Sequence, residues 1–398
     1  MSSLALLGGT PVRRKPLATW PVFDTSERAA ILEVLESGNW GGYSPKVAEF
    51  ERAFADHHQA RFAISASNGT VTLEAALRAA GIGLGDEVLV PSITFIATAT
   101  AVLRVGATPV FADIELATGN LDAARLKEAI TPATRAIVPV HFAGHPADMD
   151  AILKIASERD LIVIEDAAHA HGASWNGRMA GSLGHFGSFS FQQSKNMTAG
   201  EGGILTTYEE DLAAKVRAIA NQGRRAGGGW YEHVSLGTNL RLTGWQAAIL
   251  LCQLSRLPAQ IEKRARNARL LSERLRETGA VLTPAIDPRV TAHGFYLYLL
   301  RIDESALPGL SQELFVKALA AEGIPGASSY PYPIYRNAVF ASYPHRILDC
   351  PQAERFCREC FWLSHEVLLA EEEGLDDVAR AILKIRDAAR TLTATGAA

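Results

Sequence analysis

The 398-residue chain is predicted to be an α/β protein: a mainly parallel central sheet with helices on both faces, followed by a smaller α+β C-terminal domain. Three observations predict it. Length alone calls for two or three domains at roughly 150 residues each. From residue 61 to about 207, short β-type runs mostly alternate with helical stretches, the pattern of βαβ units whose sheet is covered on both sides. Beyond Glu209 the pattern turns helical, with a strand near FYLYLLRI.

In chain order, the first 40 or so residues read as an arm and a helix. Asp24 can cap that helix, Glu27 stands three residues on, and Gly38 is a stop signal. A second helix starts at Ser44 with Pro45 in its first turn and Val47, Phe50 and Phe54 on one face. The expected strands are RFAISA, EVLVPS, TPVFAD, RAIVPV, LIVIED, GSFSFQ and GGILTT, with helices at TLEAALRAA and DMDAILKIASE. A long amphipathic helix from about Gly244 to Arg276 can bridge two domains, and further helices are expected near 311–322 and 375–392. The domain division is therefore 1–245, an N-terminal arm and large domain, and 246–398, the bridging helix and small domain.

Composition narrows the function. With 39 Lys and Arg against 43 Asp and Glu, net charge −4, the chain lacks the basic footprint of a nucleic-acid or anionic-lipid binder. No run approaches the roughly 18 apolar residues of a membrane span, and the apolar stretch in MSSLALLGGTPVRRK is too short for a signal peptide. A cytoplasmic location is the expectation, and four cysteines are too sparse for a disulfide framework. Cys357 and Cys360 form a C-x-x-C inside a helix-like run and are read as buried thiols. The pairs His57/His58 and His141/His145 lack acidic or Cys partners at ligand spacing, so no metal is expected. GIGLGD at 81–86 lacks the third glycine of a dinucleotide fingerprint and reads as a turn, and GRRAGGGW at 223–230 lacks a Walker lysine and reads as a loop.

Open parallel sheets bind ligands beyond the carboxyl ends of their strands. The polar residues there are Ser67 to Thr70, Ser92 to Phe95, His141, Asp166 to His171 and Ser190 to Lys195. Within them, IEDAAHAHG ends an apolar strand on Asp166, and Lys195 follows 29 residues later in the glycine-rich SFSFQQSKNMTAGEGG. Taken singly, a strand-end Asp is often a helix cap and a loop Lys a solvated charge. Together they match the electronic requirement of pyridoxal phosphate chemistry, an amine that forms a Schiff base and an acid that keeps a pyridine nitrogen protonated.

The segments SNGTVTLEAAL, PSITFIATATAV, PVHFAGHPADMD, EDAAHAHGA, SFSFQQSKNMTAGEGG and LGTNLRLTGWQAAIL resemble, in order and over about residues 5–370, the DegT/DnrJ/EryC1/StrS family of sugar aminotransferases. The resemblance implies the fold type I architecture of pyridoxal 5'-phosphate (PLP)-dependent transferases. Lys195 then matches the Schiff-base lysine, Asp166 the pyridinium partner, His169 the residue facing the ring hydroxyl and Phe95 the stacking aromatic. Gly69 and Thr70, opening a predicted helix, and Ser190 match the phosphate contacts. Asn239 matches a residue that reaches the partner's phosphate, which implies a homodimer with shared active sites. Without the family, Phe95 reads as a core aromatic and the NGT turn as a plain helix cap.

The expected activity is a ping-pong transamination from an amino acid, L-glutamine or L-glutamate, to a keto-cyclitol or keto-sugar. TAGEGG, DAAHAHG, AGHPADMD and FWLSHEVLL resemble the branch containing scyllo-inosose and 2-deoxy-scyllo-inosose aminotransferases and 3-amino-5-hydroxybenzoate synthases. Nucleotide-sugar members more often read LPLHP where this chain has Leu363, Ser364 and His365. Three alternatives stay open: an aromatising synthase, a nucleotide-sugar aminotransferase, and a catalytically silent regulator, against which an intact Lys195, Asp166 and Ser190 set argues. Tyr330 and Tyr332 in SSYPYPIY are candidate sugar contacts, the other reading being aromatic packing around prolines.

Overall fold

A computed structural model describes residues 3–225 and 227–395. All seven expected strands lie in one eight-stranded sheet, in the spatial order Phe62–Ala66, Gly203–Thr207, Phe186–Ser190, Ile162–Asp166, Thr134–Ile137, Glu87–Pro91, Thr108–Ala112 and Arg346–Ile347. Pairing is parallel from Phe186–Ser190 to Arg346–Ile347 and antiparallel at the other edge, on both sides of Gly203–Thr207. The strands read as continuous apolar runs because both faces are covered: Val88, Val90 and Ile164 pack toward one helical layer, Leu89, Ile137 and Val163 toward the other.

Register brings the predicted site residues together. Asp166 pairs with Ser188 in the neighbouring parallel strand, so Ser190 projects just beyond the carboxylate. Ser190 pairs with Gly203, and Gly203 in turn with Ala66, so three strand ends meet where the helix Gly69–Ala79 begins. Side chains would not fit in this junction. A Cβ on Gly69 would lie 2.7 Å from Ser190 Cβ, and one on Gly203 would lie 2.5 Å from the Asn68 carbonyl carbon.

The helix Thr25–Ser37 carries the expected capping box of Asp24 and Glu27 and stops at Gly38 in the left-handed conformation. The long helix spans Gly244–Thr278, about 50 Å at 1.5 Å per residue, with Thr243 and Gln246 as its capping box. Its first half, through Leu250, Leu254 and Leu257, packs on the large sheet's outer layer, and its second half, through Ala268, Leu271 and Leu275, on the C-terminal core. There an antiparallel sheet orders Val281–Leu282, Leu297–Ile302, Cys360–Ser364 and Gly326–Ser328. Phe315, Phe361, Leu363 and Ile382 fill its core, joined by Leu4 of the N-terminal arm.

Several expectations need correction. The helix-like run through both cysteines ends at Glu359. Cys357 lies in the helix Pro351–Glu359, whereas Cys360 starts a strand whose apolar residues pair with Leu297–Ile302. Tertiary pairing overrides the helical pattern there. Burial pushes the Cys357 thiol up to about 12 and Cys360 higher still, so both are inert structural thiols. The helix expected over 375–392 begins earlier and is divided into Glu372–Asp387 and Ala389–Thr395. Arg346–Ile347, from the C-terminal part of the chain, extends the large sheet, which no local pattern announces. Part of the 223–230 loop, Ala226, lies outside the described residues.

Candidate active site

A cavity of about 850 Å³ opens at the carboxyl ends of the parallel strands. Lys195, Asp166, His169, Phe95, Gly69, Thr70 and Ser190 all line it, and so does Tyr330. Asn239 and Tyr332 are exposed outside it. His141, expected at the crevice, faces away from it. Its Nε2 lies 2.8 Å from Glu165 Oε2, and its Nδ1 accepts the Ala147 N–H. Both side chains are fully buried.

Asp166 ends the strand Ile162–Asp166 and is buried. Its Oδ2 accepts from the Thr98 hydroxyl at 2.8 Å and its Oδ1 from the Ala168 N–H at 3.3 Å. Because Thr98 spends its proton on the carboxylate, Thr94, 2.9 Å away, must donate to Thr98. Burial pushes the Asp166 carboxyl above its ordinary value, against the pull of these donors and of the Lys195 charge. A buried carboxylate held by two neutral donors is a strong site for a cationic ring nitrogen.

Lys195 stands in the loop after Phe186–Ser190, its N–H bonded to the Gln192 carbonyl at 2.9 Å. Its Nζ lies 4.4 Å from the centroid of the Tyr296 ring. Tyr296 stacks on His169 at 4.2 Å, and its hydroxyl meets the Ser194 hydroxyl at 2.8 Å. His169 Nδ1 is buried with no partner among the described residues, and burial, then the Lys195 charge, keeps the ring neutral. Phe95, just before the helix Ala97–Arg104, keeps 60% of its surface exposed and lines the cavity.

The opposite end is built for an anion. Helix Gly69–Ala79 starts there with Asn68 as its cap, accepting the Val71 N–H at 3.0 Å and leaving the amides of Gly69 and Thr70 to the cavity. Thr72 ties this turn to the sheet, donating to the Gly69 carbonyl at 2.6 Å and meeting the Ser188 hydroxyl at 2.7 Å. The close approach of Gly69 to Ser190 sets the Ser190 hydroxyl beside the helix N-terminus.

The family model for DegT/DnrJ/EryC1/StrS aminotransferases matches residues 21–383. The chain belongs to that aminotransferase family. It is 39% identical to the 3-amino-5-hydroxybenzoate synthase of Amycolatopsis mediterranei, over 91% of this chain and 95% of the relative. It is 37% identical to the L-glutamine:scyllo-inosose aminotransferase of Streptomyces griseus, over 98% and 99%. The crystal structure of a 3-amino-5-hydroxybenzoic acid synthase superposes with a TM-score of 0.88 at 37% identity, covering 93% of this chain and 98% of that one.

Three residues of this aminotransferase's cavity region, Thr98, Tyr296 and Trp362, were not singled out in the sequence. Thr98 had a signal, its i, i+4 spacing from Thr94 at a helix start beside Phe95. Tyr296, Trp362 and the Tyr330–Trp362 edge contact at 5.7 Å come from the small sheet folding over the cavity, and Gln192 anchors Ser194 through its Oε1. Only tertiary structure brings Tyr296 and Trp362 to the site.

Proposed function

We propose that this aminotransferase uses PLP to move an amino group from L-glutamine to a keto-cyclitol. The observation that carries the reading is the convergence of Lys195 and Asp166 on one cavity beside an anion cradle. The residues fit the coenzyme: a buried carboxylate with neutral donors, an orphaned His169 Nδ1, an open Phe95 face and the Gly69/Ser190 junction that a Cβ would fill. Lys195 would be its covalent anchor and Asp166 the partner of its ring nitrogen. His169 would meet its hydroxyl, Phe95 its face, and Gly69, Thr70 and Ser190 its phosphate.

When bound, the coenzyme supplies an electron sink for negative charge developing at the donor's Cα. Displaced by the donor's amine, Lys195 Nζ would take the Cα proton and redeliver it, while the buried Asp166 would hold the opposing positive charge. Donor and acceptor use the same cavity in turn, which gives ping-pong kinetics.

The acceptor class is supported by the relatives' names and by the cavity's charges. Among its described lining residues the cations are Lys195 and Arg104, and Glu74 already binds Arg104. A nucleotide diphosphate calls for free cation pairs, whereas a polyol ketone calls for aromatic walls that carry neutral donors, as Tyr330 and Trp362 provide. An aromatising synthase is the second reading, favoured by the relative of that name at 39% identity. Incubation with L-glutamine and scyllo-inosose tests the first: an aminated cyclitol by mass spectrometry is expected, and 3-amino-5-hydroxybenzoate from its precursor alone would favour the second.

The same reading includes a homodimer. Asn239 is exposed outside its own cavity, and the nearby Trp230, Tyr231 and Leu236 are largely bare, as expected of a segment that a second copy covers. It also includes a cytoplasmic location and a division near residue 245, which the separate C-terminal sheet and core support. No described helix is long and apolar enough to cross a membrane.

A further inference from the structure

Arg264, in the middle of the long helix, is fully buried, yet its Nε and Nη1 have no partner among the described residues. A cation in such a place is a liability that packing alone does not require. Burial lowers its guanidinium to about 9, so it stays charged at neutral pH. Its Nη2 lies 3.0 Å from Nδ1 of His365, which begins the turn after the strand Cys360–Ser364. His365 Nε2 lies 3.0 Å from the carbonyl oxygen of Ser194, the residue before Lys195.

The tautomer follows from the partners. A carbonyl only accepts, so Nε2 carries the proton, and a guanidinium only donates, so Nδ1 is the acceptor. The chain Arg264 to His365 to Ser194 therefore runs donor to acceptor without conflict, and His365 is neutral. Burial, then the Arg264 charge, keeps it so. Trp20 of the N-terminal arm closes the arrangement. Its Nε1 donates to the Gln193 carbonyl at 3.0 Å, its ring meets His365 edge-on at 4.4 Å, and the Arg264 guanidinium lies 5.6 Å from its centroid. Two consecutive carbonyls leading into Lys195 are thus held from outside the loop. None of Trp20, Arg264 or His365 lines the cavity.

We propose that Arg264 and His365 are positioning residues that clamp the Ser194 carbonyl from the long helix and the small sheet, and so fix where the Lys195 amine stands in the cavity. The inference rests on Lys195 being the reacting amine. It gives a role to a guanidinium that is costly to bury at this point of the helix.

The test uses the full-length chain, with and without PLP, as wild type and as Arg264→Met, Arg264→Lys, His365→Phe and His365→Gln. Hydrogen exchange at the Lys195 amide reads the loop directly. Roughly tenfold faster exchange is expected in Arg264→Met and His365→Phe, as for loss of a buried hydrogen bond, with the peptide over 162–166 unchanged. The turnover number should fall while KM for L-glutamine holds. Arg264→Lys and His365→Gln, which restore a cation and a donor, should recover part of both readouts. Wild-type exchange at Lys195, faster exchange spread through the whole chain, or faster exchange with an unchanged turnover number would each overturn the proposal. Exchange without PLP does not depend on the chemistry, so failure of the clamp and failure of the Lys195 assignment give different results.

Discussion

The Tyr296 ring is a seat for the Lys195 ammonium, with Nζ 4.4 Å from its centroid. The same ring stacks on His169 and reaches Ser194 through its hydroxyl. A cation over an aromatic face gains about 0.5–2 kcal/mol, depending on how dry the site is. Tyr296→Leu should therefore slow the half-reaction with L-glutamine by about 2- to 30-fold in a single-turnover measurement. Tyr296→Phe keeps the face and loses only the Ser194 contact, so most of the rate should remain. Equal losses in both variants would show that the hydroxyl, not the ring, is what matters.

Asp166 is predicted to tolerate no neutral replacement. Asp166→Asn preserves the shape and removes the charge that, on the proposed reading, would face the ring nitrogen, and the expected loss in kcat is about 10²- to 10⁴-fold. Thr98→Val removes the donor on Oδ2 and so pushes the Asp166 carboxyl further up, with a smaller loss of about tenfold. The order Asp166→Asn worse than Thr98→Val is the check, measured on purified variants saturated with PLP.

If Asn239 serves the neighbouring subunit, Lys195→Ala and Asn239→Ala chains complement each other. Unfolded together and refolded, they should form hybrids with one intact cavity, restoring up to about a quarter of wild-type activity for random pairing of a twofold-symmetric dimer. Activity no higher than the mean of the two separate variants would place Asn239 in service of its own chain.

Acid should destabilise the fold well before the carboxylates titrate. Burial holds His58, His145, His169, His171, His293 and His365 below their ordinary value, His171 down to about 3. Once unfolded, these rings take up protons near pH 6.5, so below that pH the unfolded state binds more protons and stability falls as acid is added. Asp24, held at about 2 chiefly by the Ser26 N–H, extends the loss below pH 4. So does Glu27, where burial pushes the carboxyl up but hydrogen bonds from Arg256, the Asp24 N–H and Gln253 together hold it at about 2. Urea midpoints should drop steadily from about pH 7.5 to about pH 5, and a flat profile over that range would contradict the buried-neutral assignment.

The sheet was legible because its strands are covered on both faces and so read as unbroken apolar runs between helical stretches. The site residues at its edge were legible because Asp166, Ser190 and Lys195 follow those runs directly. The small domain was less so. Cys360–Ser364 looks helical until Leu297–Ile302 pairs with it, and Arg346–Ile347 is too short to signal anything. The clamp of Trp20, Arg264 and His365 is assembled from segments hundreds of residues apart, and no spacing in the sequence records that. His141 misled because a polar residue at a strand end can as well turn inward, as its bond to Glu165 shows.

The central claim is that the amine of Lys195 carries the coenzyme. Borohydride reduction of the PLP-loaded protein, followed by digestion and peptide mass mapping, tests it most directly. The account predicts a single pyridoxyl label on Lys195, lost in a folded Lys195→Ala variant that has no measurable turnover. A label on any other lysine, or transamination retained by Lys195→Ala, would contradict it.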